Sequence, residues 1–380
     1  MSYAGEKIIY DADSHLMELP DFLAQGCHSD DVRHLGDLAE IMTGQFDPGE
    51  LSSKSGHAPY TVSELLALGD NLTRGPKWHA ALGAFNGRER SKALDLLGFK
   101  KQVIFSSLCS GLIFRADETS AYVSAAAHNR AMAEFCGGDA RLLGIAMVPL
   151  QNVSRAGILI DEALKSGLRG VWISSEAPAG KSPGHPDLNP IWSRLEEAGI
   201  PFILHVGSST LSINDEWMND GNPTTRTARG GAEVIGSKDL TVIHHSAQRF
   251  ISTLVLDGVL ERFPKLTGGV IELGAGWVPD MIRRLDHAVM IWSRSEPQLS
   301  QMSRLPSQQI AEQLRFTPYP FEDVAQLVSE SCADLYMFSS DYPHAEGGRD
   351  PIGRFSSSTE SLNDKERHLF FAENFQALWK

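Results

Sequence analysis

Asp11, Asp13 and His15 recur at every second position in DADSH, near the start of a chain of 380 residues. In an extended strand, residues two apart project to the same side, so these side chains point together. A carboxylate beside an imidazole offers two ligands to a divalent metal. Alone, the pattern is common, and an Asp capping a turn beside a hydrogen-bonded His is its structural alternative. The same chemistry returns at the ends of other apolar runs. His205 ends PFILHV, where an imidazole without a partner is costly to bury. His244 and His245 end LTVIHH, and Asp341 follows LYMFSS with His344 three residues on. Singly, each also reads as a satisfied buried His or as an Asp opening a turn before Pro343. Jointly, Asp13, His15, His205 and Asp341 read as ligands around one metal, with His244 or His245 beside it.

Residues this far apart meet only if their strands lie side by side. Nine short apolar runs are candidates: IIYDAD (8–13), VIFSSL (103–108), LLGIAMVP (142–149), GVWISS (170–175), PFILHV (201–206), LTVIHH (240–245), GGVIEL (268–273), LRFTPYP (314–320) and LYMFSS (335–340). Such runs suit parallel strands covered on both faces. Helical patterns lie between them: 120–136 stops at Gly137-Gly138, 153–166 at Gly167 and 188–198 at Gly199. The alternation implies a right-handed parallel βα array. We expect an α/β fold, a (β/α)8 TIM barrel spanning 1–380, rather than an open doubly wound sheet, because no GxGxxG turn follows the first run. Nine runs are one too many, and 314–320 is set aside because its two prolines remove ladder donors. Two long segments interrupt the rhythm: an insertion at 20–95 after the first strand and another at 207–236 after the fifth. Both are expected on the C-terminal face, where barrel active sites are built. Long loops there are often functional, though tolerated surface decoration is the plain alternative.

Composition narrows the partners. There are 34 Lys+Arg against 48 Asp+Glu, a formal charge of -14, and no basic run, which argues against nucleic acid. No stretch approaches the roughly 20 apolar residues of a membrane helix. The opening MSYAGEKIIYDADSH leaves no room for a signal peptide, and the expected location is cytoplasmic. The scattered Cys27, Cys109, Cys136 and Cys332 suggest neither a disulfide frame nor a zinc knuckle. A small-molecule substrate is the expected partner, and a homo-oligomer is compatible with the sequence.

DADSH-LME, ILHV, GVLERFPKLTGGVIELGAGWVPDMIRRLDH and the closing FSSDYPH together resemble the amidohydrolase-related group of the amidohydrolase superfamily. That group includes aminocarboxymuconate semialdehyde decarboxylase and aromatic-acid decarboxylases. The likeness runs from about residue 8 to the end and is thin across 20–95. It implies a metal-bearing (β/α)8 barrel in which Asp13 and His15 stand where the family often has HxH. Its fifth-strand His falls on His205 and its eighth-strand Asp on Asp341. Its sixth-strand His, near the metal and the substrate, falls on His244 or His245. Strand neighbours face opposite ways, so only one of the pair can face inward, and His245 is favoured as the last residue of the run. Asp in place of His hardens the ligand set, widening the metal from zinc toward manganese, iron or magnesium.

Other residues attract weaker roles. Glu18 is a candidate outer partner that orients a ligand His, or a solvated carboxylate. Glu272 ends an apolar run and reads as a structural or outer carboxylate. Trp277 is a pocket wall or a core aromatic, and His344 is a pocket candidate. Arg226, Arg229, Arg249, Arg349 and Arg354 could grip a substrate carboxylate bidentately, although most read as surface charges. The glycines of GGAEVIG and EGGRDP lack the context of a phosphate loop. The leading expectation is a metal-dependent hydrolase in which Asp341 moves the proton of an activated water and the sixth-strand His steadies the oxyanion. The alternative is a non-oxidative decarboxylase of a small aromatic or unsaturated acid on the same residues. A barrel kept only as a binding protein predicts gaps among the ligands, and none is evident.

Overall fold

A computed structural model describes residues 2–42, 51–52, 54, 56–209, 213–222 and 235–379. The strands are short and parallel: β1 (His15–Leu16), β2 (Gln102–Ser106), β3 (Leu142–Gly144), β4 (Ala146–Met147), β5 (Val171–Trp172), β6 (Phe202–His205), β7 (Gly268–Ile271) and β8 (Leu314–Phe316). They pair as β1-β2-β3 and β4-β5-β6-β7-β8. β3 and β4 are two halves of one apolar run. At the break the Ile145 amide donates to Ile104 O (3.1 Å), while Gly144 O accepts from the Arg169 amide (2.9 Å), so the run faces a neighbour on each side.

Two expectations about strands need correction. LTVIHH forms no strand: it follows a helical turn at Ser237–Leu240, and His245 opens the helix His245–Leu256. The reason is periodicity further on, since Ala247, Phe250, Ile251, Leu254 and Val255 are all buried at helical spacing. The run set aside, 314–320, does contain a strand. Its prolines, Pro318 and Pro320, lie beyond the paired residues Leu314, Arg315 and Phe316, so no ladder donor is lost.

The stretch after 335 is extended with isolated bridges, Phe316↔Tyr336 on one side and Ser14↔Tyr342 on the other. The Met337 amide donates to Phe316 O (2.9 Å), the Ala12 amide to Phe338 O (3.1 Å) and the Asp341 amide to Asp13 O (2.9 Å). Thus the segment carrying Asp341 bonds to both β8 and the first strand. The order of strand-like segments is therefore 11–16, 102–106, 142–147, 171–172, 202–205, 268–271, 314–316 and 336–342, which makes Gly268–Ile271 the sixth.

Helices cover this array with caps that the sequence specifies. Asp117 accepts from the Thr119 and Ser120 amides at the start of Glu118–Cys136, and Asn152 from Arg155 at Val153–Lys165. Asn189–Ala198 ends at Gly199 in the left-handed conformation. The sheet interior is tightly filled. A Cβ on Gly268 would lie 2.2 Å from the buried Phe202 ring of β6, so a side chain there would force that ring to move. Between β1 and β2 the described chain is short helical turns followed by the helix Gly87–Leu97. That helix delivers Arg90, fully buried, to the first strand. Its guanidinium donates to Gly83 O (2.8 Å), Gln102 Oε1 (3.2 Å) and, through a short bond, His15 O.

Candidate metal centre

His15 and His205 come together because their strands end at the same edge. His205 pairs with Ile271 across β6-β7, so Glu272, the next residue, emerges beside it. Asp13 precedes β1, and its carbonyl accepts the Asp341 amide. The resulting group is Asp13, His15, His205 and Glu272, whose ligand atoms all lie within 4.8 Å of one another. A second group shares His15 with Asp341 and His344. His15 Nε2 lies 3.3 Å from Asp13 Oδ1, 3.8 Å from Glu272 Oε2 and 3.5 Å from Asp341 Oδ1. His205 Nε2 lies 3.4 Å from Asp13 Oδ1 and 3.5 Å from Glu272 Oε2.

The far side of each ring decides what these contacts are. His15 Nδ1 meets Ser106 O at 3.2 Å and His205 Nδ1 meets Val206 O at 3.1 Å. A carbonyl only accepts, so both Nδ1 atoms carry the hydrogen, and a neutral ring then has its lone pair on Nε2. Burial, with His344 nearby, pushes His15 down to about 4, so it is neutral near pH 7. Its Nε2 lone pair faces carboxylate oxygens, and His15 Nε2 and Asp341 Oδ1 are buried without a hydrogen bond. Lone pairs converging on lone pairs in a buried place is a repulsive arrangement that a cation reverses. The donor set, nitrogen and carboxylate oxygen without sulfur, fits a divalent ion of the zinc, manganese or iron kind.

The carboxyls differ. Asp13 lies against both imidazole Nε2 atoms, 3.3 Å from His15 and 3.4 Å from His205. Asp341 is pushed up to about 7 by burial, against the pull of His15. Glu272 and Asp341 both adopt left-handed backbone conformations, with φ of +55° and +53°. For residues other than glycine this costs energy and persists where the surroundings enforce it. At Glu272, Thr317 Oγ1 accepts the amide (3.0 Å) and Tyr319 donates to the carbonyl (3.1 Å). At Asp341 the chain folds back so closely that a Cβ on Gly347 would lie 2.0 Å from Ser340 O.

His344 stacks on His15 with ring centroids 3.9 Å apart, its Nδ1 3.1 Å from Asp341 Oδ1 and its Nε2 2.8 Å from Ser107 Oγ. Burial pushes His344 down to about 3. The Glu18 carboxylate is fully buried and accepts from the Ser107 amide (3.1 Å), the Leu108 amide (3.1 Å) and the Ser106 hydroxyl. Glu18 therefore fixes the end of β2, whose Ser106 carbonyl in turn orients His15. A cleft opens over these groups, walled by Ser107, Ser110, Trp172, Glu346 and Ile235. Ile235 falls near the end of the segment 207–236, so that segment reaches the cleft; 210–212 and 223–234 lie outside the described residues.

Neither histidine of the 244–245 pair belongs to either group of potential ligands. His245, the favoured one, is exposed at the first turn of its helix, whereas His244 is half-buried and stacks on Trp277 (5.5 Å). Trp277 spends its indole N–H on Leu273 O and Gly274 O. Of the arginines, Arg226 and Arg229 lie outside the described residues, and Arg249, Arg349 and Arg354 are exposed. Sequence reasoning understated Glu272. It closes an apolar run just as His205 does, and that signal was already available.

The family model described as "Amidohydrolase" matches residues 87–380, and the chain belongs to that family. Among solved structures, it is similar to an amidohydrolase from Mycobacterium avium subsp. paratuberculosis K-10, with 21% identity over 99% of this chain and 100% of that one, and a TM-score of 0.73. It is also similar to 2,6-dihydroxybenzoate decarboxylase from Rhizobium, with 21% identity over 76% and 87% of the two chains and a TM-score of 0.58. A third is 5-carboxyvanillate decarboxylase from Novosphingobium aromaticivorans DSM 12444, complexed with manganese and 4-hydroxy-3-methoxy-5-nitrobenzoic acid. It has 16% identity over 98% and 96% of the two chains and a TM-score of 0.64. A search of curated proteins found no match.

Proposed function

We propose that this protein is a metal-dependent carboxy-lyase that releases carbon dioxide from a small aromatic acid, on a (β/α)8 barrel with its site at the C-terminal strand ends. The observation that carries the reading is the convergence of Asp13, His15, His205 and the partly buried Glu272, with Asp341 joined to them through His15, and with the unshared pair of His15 Nε2 turned toward their oxygens. The two decarboxylases of similar fold support carbon dioxide release over hydrolysis, the reading the sequence had put first. The bonds of 336–342 to both neighbouring strands support the barrel.

A divalent cation here would grip the substrate's carboxylate and an adjacent oxygen and draw electron density from the ring. The protein's own residues supply the rest. As the bond between ring carbon and carboxylate breaks, its electron pair stays on the ring carbon, which must take a proton. Asp341 is placed to give it. When Ser107 donates its hydroxyl hydrogen to Leu16 O (2.8 Å), its oxygen accepts from His344 Nε2, which turns the lone pair of His344 Nδ1 toward Asp341. That arrangement favours a proton on Asp341. With Asp341 neutral, Asp13 and Glu272 balance a dication, and an anionic substrate enters an uncharged site.

Hydrolysis of an uncharged ester, lactone or amide is the second reading, favoured by the three carboxylates of the site if Asp341 is ionised and acts as a base. The test is a screen of aromatic carboxylates, amides and lactones against metal-loaded protein, with carbon dioxide release measured directly. Release from an aromatic acid supports the lyase. Turnover confined to esters, lactones or amides replaces it with the hydrolase.

A further inference from the structure

We infer that the substrate is an aromatic acid longer than a single benzoate ring, whose distal part lies in a second cavity beside the cleft and ends in an acceptor oxygen that meets Arg115. The inference rests on the carboxy-lyase reading above for the end held at the centre, and adds what lies beyond that ring.

The cleft over the metal-binding groups has a free volume of 20 Å³, little more than one water takes, so a ring gripped there must run out of it. A second cavity, of 180 Å³, is bordered by Phe114, Arg115 and Leu150 among others. Three elements supply both spaces. The helix Ser110–Phe114 gives Ser110 to the cleft and Phe114, one turn on, to the cavity. At the end of β5, Trp172 borders the cleft and Ser174 the cavity. After β6, Val206 borders the cleft and Ser208 the cavity. The two spaces are therefore neighbours at one edge of the strands. The Trp172 ring links them, lying 4.7 Å from the His205 ring and 5.8 Å from that of Phe114.

The lining indicates what the cavity takes. Phe114, Pro149, Leu150 and Pro178 give it apolar walls, suited to an aryl or alkyl extension. Arg115 is exposed at its rim and is held by one bond, from Nη2 to Ser209 O (3.1 Å); among the described residues it meets no carboxylate. A guanidinium has five N–H donors in a fixed fork, so donors remain for an oxygen on a ligand. The loop that anchors Arg115 is itself tied down, because Ser208 O accepts from Ser174 (2.7 Å) and Ser209 shares a hydrogen bond with Ser246 (2.8 Å). The acid on this wall, Glu176, faces Arg249 at 3.5 Å, which offsets its charge toward an anionic end.

The experiment is calorimetric titration of manganese-loaded, full-length protein. The probes are salicylate and its 4-phenyl and 5-phenyl derivatives, each with and without a carboxylate at the far end of the added ring. One phenyl series should bind at least about tenfold tighter than salicylate, from apolar area buried in the cavity. The terminal carboxylate should add about tenfold more through Arg115. Leu150→Trp, which fills the cavity, should erase the gain from the phenyl ring, and Arg115→Gln should erase the gain from the terminal carboxylate. Arg115 is exposed, so its variant serves if Leu150→Trp does not fold. Equal affinity for short and long acids, or gains that persist in the folded variants, overturns the inference. Absence of saturable binding by all of these acids, salicylate included, would instead overturn the aromatic-acid reading on which it rests.

Discussion

Asp341 is held rather than merely present. Its backbone is left-handed, its amide is fixed on Asp13 O, and its carboxyl faces His344 and His15. A group that gives or takes a proton in the rate-limiting step typically contributes about 10²–10⁴ in rate. Asp341→Asn keeps the shape but can neither lose nor gain a proton near neutrality. Turnover of this variant, measured with bound metal quantified in the same sample, should fall by about that factor at full occupancy. Near-normal activity at full occupancy would remove Asp341 from proton transfer.

Between residues and fold stand the elements that aim them, and the helix Gly87–Leu97 does this through Arg90. The buried guanidinium bonds Gly83 O, Gln102 Oε1 and His15 O, while Gln102 Nε2 donates to Asp11 (2.7 Å) and Asp11 accepts from both the Ser340 amide and hydroxyl. One chain of bonds thus ties the helix Gly87–Leu97, β2, the first strand and the segment before Asp341. Arg90→Met leaves buried acceptors without donors, at about 1–3 kcal/mol each. A loss of several kcal/mol in urea unfolding is expected, and a change below about 1 kcal/mol would show that the network relaxes without cost.

A second element carries a pH-dependent contribution. His128 on Glu118–Cys136 is fully buried, and burial pushes it from the ordinary 6.5 down to about 4. Its folded value lies below its unfolded one, so between pH 4 and 6.5 the unfolded chain binds the extra proton. Its contribution to stability is complete above about 6.5 and is lost as pH falls toward 4. Thermal midpoints across this window should drop with acid, less steeply in His128→Gln. Parallel slopes in the two proteins would exclude His128 as a source.

At the scale of the molecule, a cation held by His15, Asp13 and His205 would join β1 to β6, strands that lie in separate sheets. A ligand that binds only the folded chain stabilises it by about 2.7 kcal/mol at one hundred times its dissociation constant. Chelation should therefore lower the thermal midpoint by several degrees, and manganese or zinc should restore it. A midpoint indifferent to chelator, in protein shown to have lost its metal, would mean that the centre adds nothing to folding. No described helix is long and apolar enough to cross a membrane, and Met290, Ile291 and Trp292 are exposed at the end of the helix Val278–Trp292.

Periodicity and chemistry were legible along the chain. Apolar runs of four to six residues, glycine stops and capping Asp and Asn residues announced the parallel βα alternation. Polar residues closing those runs announced Asp13, His15, His205 and Asp341. These are local signals, carried by neighbours within a few positions. What the chain could not disclose was which run becomes a strand when two patterns overlap. LTVIHH looked extended but forms the turn that leads into the helix whose buried stripe runs through Val255, and LRFTPYP looked broken although its prolines fall past the pairing. That choice moved the sixth strand to Gly268–Ile271 and brought Glu272, rather than His244 or His245, into the centre. Tertiary structure alone decided it, because strand order depends on pairing partners far away in sequence, and a carboxylate's role depends on which lone pairs it meets.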